Sequence, residues 1–239
     1  MRATTVWFDL DGTLLPMDQE RFVRAYFGLL SRTMAPFGYA PDRLLKAVTD
    51  GIQAMVENDG GATNEAAFWR VFCVAFGERA REDMPRFEAF YQNEFQQARA
   101  ACGFDPREAQ TVRTLRAMGY RVALATNPLF PRAATHSRIR WAGMEPQDFE
   151  LVTTYEDSRF CKPDLRYYEE ILGKLQVQPS ECLMVGNDVD EDMIAEKLGM
   201  RVFLLTDCLI NRHARDVSRY PQGSFDALAA YVKTLAAQE

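Results

Sequence analysis

Histidine is nearly missing from this chain. Of 239 residues only His136 and His213 are histidines, far apart and in no ligand-like spacing. Surface or partly packed roles are expected of both. Cysteine is scarce and unpaired: five residues stand at 73, 102, 161, 182 and 208, with no C-x-x-C pair. That argues against a structural zinc site, fits a reducing cytoplasm, and leaves small buried hydrophobes as the expected role. No run of about 18 apolar residues occurs, so no membrane span is expected. Residues 1–5 lead straight into a strand-like segment, without the apolar stretch and cleavage site of a signal peptide. Positive charge is in deficit, 28 Lys and Arg against 34 Asp and Glu, a net −6. Such a chain is a poor general binder of nucleic-acid phosphates.

What is present suits a buried core: 47% hydrophobic and 12% aromatic residues. Length fits one or two domains. Short apolar runs end at turn residues: Val6–Phe8 before Asp9, Tyr120–Ala125 before Thr126, Cys182–Val185 before Gly186, Val202–Leu205 before Thr206. Leu151–Thr154 is a weaker fifth. Runs of this kind suit strands covered on both faces. Helical spacing separates them, at Ala109/Val112/Leu115/Met118, from Pro163-Asp164 through Leu175, and at Met193/Ile194/Leu198. A closing helix is expected over 225–235. The alternation predicts an α/β fold, a parallel sheet with helices on both sides.

Residues 17–105 break the rhythm. Aromatic and aliphatic residues recur at helical spacing around 22–30, 44–55, 68–76 and 87–95, with no convincing strand. Four helices are expected there, inserted after the first strand, their aromatic stripes serving internal packing. The domains expected are therefore 1–16 with 106–239, and 17–105, hinged near Pro16 and at 103–106.

The strongest chemical signal is Phe8-Asp9-Leu10-Asp11-Gly12-Thr13. Residues i and i+2 of a strand share a face. Asp9 and Asp11 thus project together from the carboxyl end of the first strand, where open parallel sheets bind ligands. Paired carboxylates repel unless a cation or proton relieves them; such a pair suits a bound Mg²⁺, a nucleophile and a proton donor. Taken alone, the motif also reads as an Asp-Gly turn. Three weaker features follow. Thr126-Asn127 offers a hydroxyl, an amide and backbone N–H groups to a phosphate. Lys162, before Pro163, offers an ammonium. Gly186-Asn187-Asp188-Val189-Asp190-Glu191-Asp192 packs four acids behind a strand, as a helix cap or as a hard-cation site.

In this order, on strand ends of one α/β domain, these features resemble the four motifs of the haloacid dehalogenase-like (HAD) hydrolase superfamily. The resemblance covers the whole chain. It implies a doubly wound, Rossmann-like core and makes 17–105 a C1-type helical cap. It also implies a mechanism for a Mg²⁺-dependent phosphatase acting on a small phosphorylated metabolite. Asp9 attacks phosphorus and becomes an aspartyl-phosphate. Asp11 protonates the leaving oxygen, then deprotonates the hydrolytic water. Thr126, Asn127 and Lys162 hold the phosphoryl oxygens. Mg²⁺ is held by Asp9, the Asp11 carbonyl and an acid of the last motif. Dehalogenating members generally lack the second aspartate, so Asp11 favours phosphoryl transfer. A Schiff-base phosphonatase would need a cap lysine, and only Lys46 exists there. Arg21, Arg24, Lys46 and Arg70 are cap cations that could reach a substrate's polar end. A phosphomutase and a non-catalytic binding protein are the alternative readings.

The last motif departs from the common Gly-Asp form. Either Asn187 takes the metal-ligand place with Asp192 five residues on, or Asp188 takes it with Asp192 four residues on. Mg²⁺ favours anionic oxygen over a neutral amide. Asp188 is therefore the expected ligand, against a plain N-cap role, with Asp192 binding a metal water or orienting Lys162. Asp190 and Glu191 fall off that face and are expected in solvent. Substrate identity and oligomeric state stay open.

Overall fold

The first strand, β1 (Thr5–Phe8), lies in the middle of the sheet rather than at its edge. The computed structural model describes residues 3–237. To one side of β1 are β2 (Arg121–Leu124) and β3 (Leu151–Val152); to the other are β4 (Cys182–Gly186), β5 (Arg201–Leu205) and β6 (Gln222–Gly223). Every neighbouring pair is parallel. Alternation along the strands sorts side chains into two layers. Val6, Phe8, Leu124, Leu183, Val185 and Phe203 join one apolar cluster. Trp7, Ala123, Cys182, Met184, Val202 and Leu204 join the other, on the opposite face. Both faces are dry, which is why these strands read as continuous apolar runs.

Between β1 and β2 the chain is helical: α1 (Gln19–Met34), α2 (Pro41–Val56), α3 (Asn64–Phe76), a one-turn α4 (Arg79–Glu82), α5 (Met84–Gln92), then α6 (Pro106–Ala117). Short caps set the starts. Asp18 accepts from Arg21 N at 2.9 Å ahead of α1, and Thr63 accepts from Ala66 N at 3.2 Å ahead of α3. The helix expected over 87–95 stops at Gln92. There Asn93 turns its amide back onto the Ala89 carbonyl at 2.8 Å, and the chain goes on as 3₁₀ turns over Glu94–Ala101. The two crossings to and from this insertion run side by side. Met17 and Cys102 form an antiparallel bridge, and Gly103 N donates to the Pro16 carbonyl at 2.6 Å. Phe22, Tyr26 and Phe95 of the insertion share one apolar cluster with Leu124, Ile139 and Trp141 beyond it.

After β2 come α7 (Arg132–Trp141), α8 (Leu165–Leu175) and α9 (Phe225–Ala237). Pro163 lies outside its helix, because Asp164 is the cap, accepting from Arg166 N at 2.8 Å. Met193–Leu198 winds as 3₁₀ turns rather than as the expected α-helix, and is closed by left-handed Gly199. Strand β6 escaped the sequence pattern: two residues, Gln222 and Gly223, carry no apolar signal. All five cysteines are free thiols, three of them buried.

Candidate active site

Strand β1 hands the chain to Asp9, whose backbone N–H donates to the Val185 carbonyl of β4 at 3.0 Å. The carboxylate therefore emerges where the chain crosses over to both sides, at the carboxyl edge of the sheet. Gly12 follows with φ +83°, and a Cβ there would meet Asn187 Nδ2 at 2.4 Å. The turn needs glycine both for its left-handed backbone and for this close approach.

Lys162 reaches the site from the loop ahead of α8, and it is 2% exposed. Its Nζ lies 2.9 Å from Asp9 Oδ1 and 2.6 Å from Asp192 Oδ1. Burial alone would drive the amine towards neutrality. The Asp192 and Asp9 charges outweigh it and hold its proton affinity well above the ordinary lysine range. The ammonium is thus fixed beside the carboxylate with few other places to go. Asp192 Oδ2 accepts from Asp188 N at 3.0 Å, and a Cβ on Gly186 would strike this oxygen at 2.1 Å.

Thr126 is buried at the end of β2, its carbonyl accepting from Thr153 Oγ1 at 2.7 Å and from the Tyr167 hydroxyl at 2.9 Å. Asn127 clasps the Lys162 loop: its Oδ1 accepts from Lys162 N at 3.3 Å. Its Nδ2 donates to Glu191 Oε2 at 3.1 Å. Glu191 is accordingly not on a solvated face as expected. Burial pushes its carboxyl up to about 7, with Lys162 opposing and Asp188 and Asp9 adding to the rise. Asp190 is not free in solvent either, lying 2.6 Å from Arg215 Nη2. Partners from other segments, Asn127 and Arg215, meet these acids, which helical spacing alone does not report.

The two registers of the last motif differ in what they touch. Asp188 Oδ1 accepts from Asp190 N at 2.8 Å and Glu191 N at 3.0 Å, the contacts of a cap, and Oδ2 pairs with Arg212. Asn187 lies against the first motif, its Oδ1 accepting from Thr13 Oγ1 at 2.7 Å and its Nδ2 donating to the Cys208 carbonyl at 2.7 Å.

Asp11 has a cation of its own: its Oδ2 pairs with Arg138, and its Oδ1 is buried without a partner among the described residues. Burial raises its carboxyl, Arg138 opposes, and the Asp9 charge adds to the rise. Arg138 was not singled out in the sequence. The signal was there: Ala134, Arg138 and Trp141 share the inward face of α7, and a charge on a buried stripe needs a partner. Arg212 and Tyr167 carried no such mark.

The cations considered on the insertion stay outside. Arg21, Arg24, Lys46 and Arg70 are exposed, and Lys46 is paired with Asp50 at 2.6 Å. His213 is exposed and His136 half-buried. A cavity of about 420 Å³ lies between the insertion and the loops after β2 and β3, walled by Tyr26, Trp69, Tyr91, Phe130 and Tyr155.

The family model described as haloacid dehalogenase-like hydrolase matches residues 3–198. A glyceraldehyde 3-phosphate phosphatase of Methanothermobacter thermautotrophicus is 29% identical over 101 residues, 42% of this chain and only 43% of that relative's length. The pyrophosphatase PpaX of Bacillus cereus is 24% identical over 190 residues, 79% of this chain and 76% of the relative. Among solved structures, a 2-haloacid dehalogenase from Pseudomonas syringae superposes with a TM-score of 0.62 at 20% identity, covering 95% of this chain and 99% of that one.

Proposed function

The chain belongs to the haloacid dehalogenase-like hydrolases, and from that premise we propose that it is a Mg²⁺-dependent phosphatase acting on a small phosphorylated metabolite. The observation that carries the reading is the buried Lys162 ammonium 2.9 Å from Asp9, with a second carboxyl two residues on. A carboxylate cannot approach a phosphate monoester until positive charge cancels their repulsion. Lys162 supplies part of it. Asp11 adds a carboxyl whose proton affinity is raised by burial, as protonation of a leaving alkoxide requires.

In this reading an Asp9 oxygen attacks phosphorus and forms an aspartyl-phosphate. Asp11 gives its proton to the departing oxygen, then takes one from the water that hydrolyses the intermediate. Thr126 and Lys162, with the backbone N–H of Asn127, whose side-chain amide is engaged by the Lys162 loop and Glu191, orient the phosphoryl oxygens and offset their charge. The curated relatives named as phosphatases support phosphoryl transfer.

The donor set fits Mg²⁺. Among the described residues no three Asp, Glu, His or Cys side chains close into a metal cage, and Mg²⁺ does not need one. It is commonly held by one or two carboxylates, with waters and substrate phosphate completing the shell. Asp9, the Asp11 carbonyl and one residue of the 187–192 loop would hold it. Bound there, it would supply the remaining positive charge. The contacts favour Asn187 over Asp188 as the loop ligand, reversing the choice made from charge alone. The Asn187 carbonyl oxygen lies beside the first motif and has a second lone pair, whereas both Asp188 oxygens are engaged elsewhere.

The test is a phosphate-release screen over sugar, nucleotide and small-acid phosphates with Mg²⁺, run beside Asp9→Asn. Turnover is expected to fall at least about 10³-fold in this variant while far-UV and near-UV circular dichroism stay unchanged. A folded Asp9→Asn protein with normal turnover would sink the mechanism.

A further inference from the structure

Arg138 has no task in the chemistry above, yet it is 0% exposed. Burying a guanidinium is costly unless it is paired and hydrogen-bonded. Its one carboxylate partner among the described residues is Asp11, gripped through Nη1. Nη2 donates to Thr135 Oγ1 at 3.3 Å, and Nε has no partner among the described residues. The guanidinium carbon Cζ lies over the Phe130 ring, 4.3 Å from its centroid. Phe130 belongs to the loop after β2, but its other aromatic contacts come from the insertion. Phe22, Tyr26 and Phe95 have ring centroids 6.2, 5.3 and 6.4 Å away. A continuous line of contacts, tilted and edge-on rings followed by a cation over a ring and an ion pair, therefore runs from the inserted helices through Phe130 and Arg138 to Asp11.

We propose that Arg138 is a positioning residue for Asp11, and that Phe130 ties this arginine to the inserted helices, so that Asp11 is correctly placed only when the insertion is seated. The inference rests on the phosphatase reading. Pinning Oδ2 on Arg138 leaves Oδ1 as the oxygen free to exchange a proton, and Oδ1 is the buried atom without a partner. Seen as a fold strut alone, a buried arginine is a poor choice, since an apolar side chain of similar volume is often as stable or more so. Here the charge is spent on the one group whose orientation decides proton transfer. When the inserted helices lift from Phe130, the guanidinium loses the ring that backs it, and Asp11 loses its fixed rotamer.

The experiment measures single-turnover phosphoenzyme formation for a series of phosphomonoesters running from 4-nitrophenyl to simple alkyl. Arg138→Met is expected to slow the alkyl ester on the order of 10²-fold and the nitrophenyl ester less than about 10-fold, because good leaving groups need little protonation. Arg138→Lys restores part of the loss. Phe130→Leu moves both rates in the same direction by less. In an Asp11→Asn background Arg138→Met adds nothing further, as expected of residues acting as one unit. Equal losses across the series, or losses that add to those of Asp11→Asn, would overturn the inference. Should Arg138→Met fail to fold, Arg138→Lys and Phe130→Leu carry the same comparison. Crystal structures of the variants give a readout free of turnover. An Asp11 carboxylate that keeps its wild-type place in them overturns the positioning role whatever the activity. A wild-type protein that releases no phosphate would instead sink the phosphatase reading.

Discussion

Asn187 and Asp188 are neighbours with different employers, and substitutions should separate them. Asn187→Ala removes an oxygen held against Thr13. Mg²⁺ affinity by titration calorimetry should weaken at least about 10-fold, as losses of metal-site groups commonly do. Asp188→Asn removes an anionic cap and the Arg212 pair. Asn caps almost as well as Asp, so the cost in stability should be that of the half-exposed Arg212 pair, about 0–1 kcal/mol, with Mg²⁺ affinity left within a factor of about two or three. The opposite pattern, with Asp188→Asn abolishing Mg²⁺ binding, would restore the register chosen on charge. Composition could not decide this. Charge ranks the two ligands one way, while the turn at Gly12 decides which of them meets the first motif.

At the scale of single elements, strands and helices were legible to different depths. The five strands read from the sequence all join the sheet, because burial on both faces writes continuous apolar runs. β6 was invisible, since a two-residue edge buries nothing apolar that a pattern could register. The break at Asn93 and the 3₁₀ winding after Asp192 depend on local side-chain bonds that periodicity does not report. That Asp9, Lys162 and Asp192 belong to one site was implied by the resemblance, carried by the order of the motifs; Arg138 was passed over because the helix over 132–141 was not among those read from the sequence, so its place on a stripe with Ala134 and Trp141 went unread. Helix α6 carries a different internal conflict. Its Glu108 is 3% exposed, with Oε2 unpartnered among the described residues. Burial chiefly, and the Asp105 charge, push this carboxyl from 4.5 up to about 8. Folded chains then keep a proton that unfolded chains release. Stability from this group is whole below about pH 4.5 and is lost as pH rises through about 8. Glu108→Gln should be more stable than wild type at pH 8.5 by on the order of 2 kcal/mol in urea unfolding, the gap closing towards pH 4.5. A gap that does not change with pH would show that Glu108 finds a partner or water in solution.

For the molecule as a whole, the question is whether the insertion moves on its two crossings. Met17 and Cys102 are bridge partners, and such antiparallel partners lie at Cα separations that suit a disulfide. Met17→Cys therefore gives a thiol opposite the native Cys102. Oxidation should staple the crossings and cut turnover roughly 10-fold if opening and closing limit it, and a reductant should restore it. Full activity in the stapled protein would mean that substrate enters without movement there. A last consequence follows from β1 being central in the sheet. Thr5–Phe8 is made well before its partners Arg121–Leu124 and Cys182–Val185, which follow more than a hundred residues later. Pairings of such long sequence separation are slow to form. Until those strands are made, the nascent chain carries Val-Trp-Phe without the strands that flank it on either side. Production in a living cell should then depend on how fast translation runs and on what shields that segment in the meantime, and a ribosome stalled before residue 182 should hold a chain in which Asp9 still lacks the Val185 carbonyl that fixes its backbone.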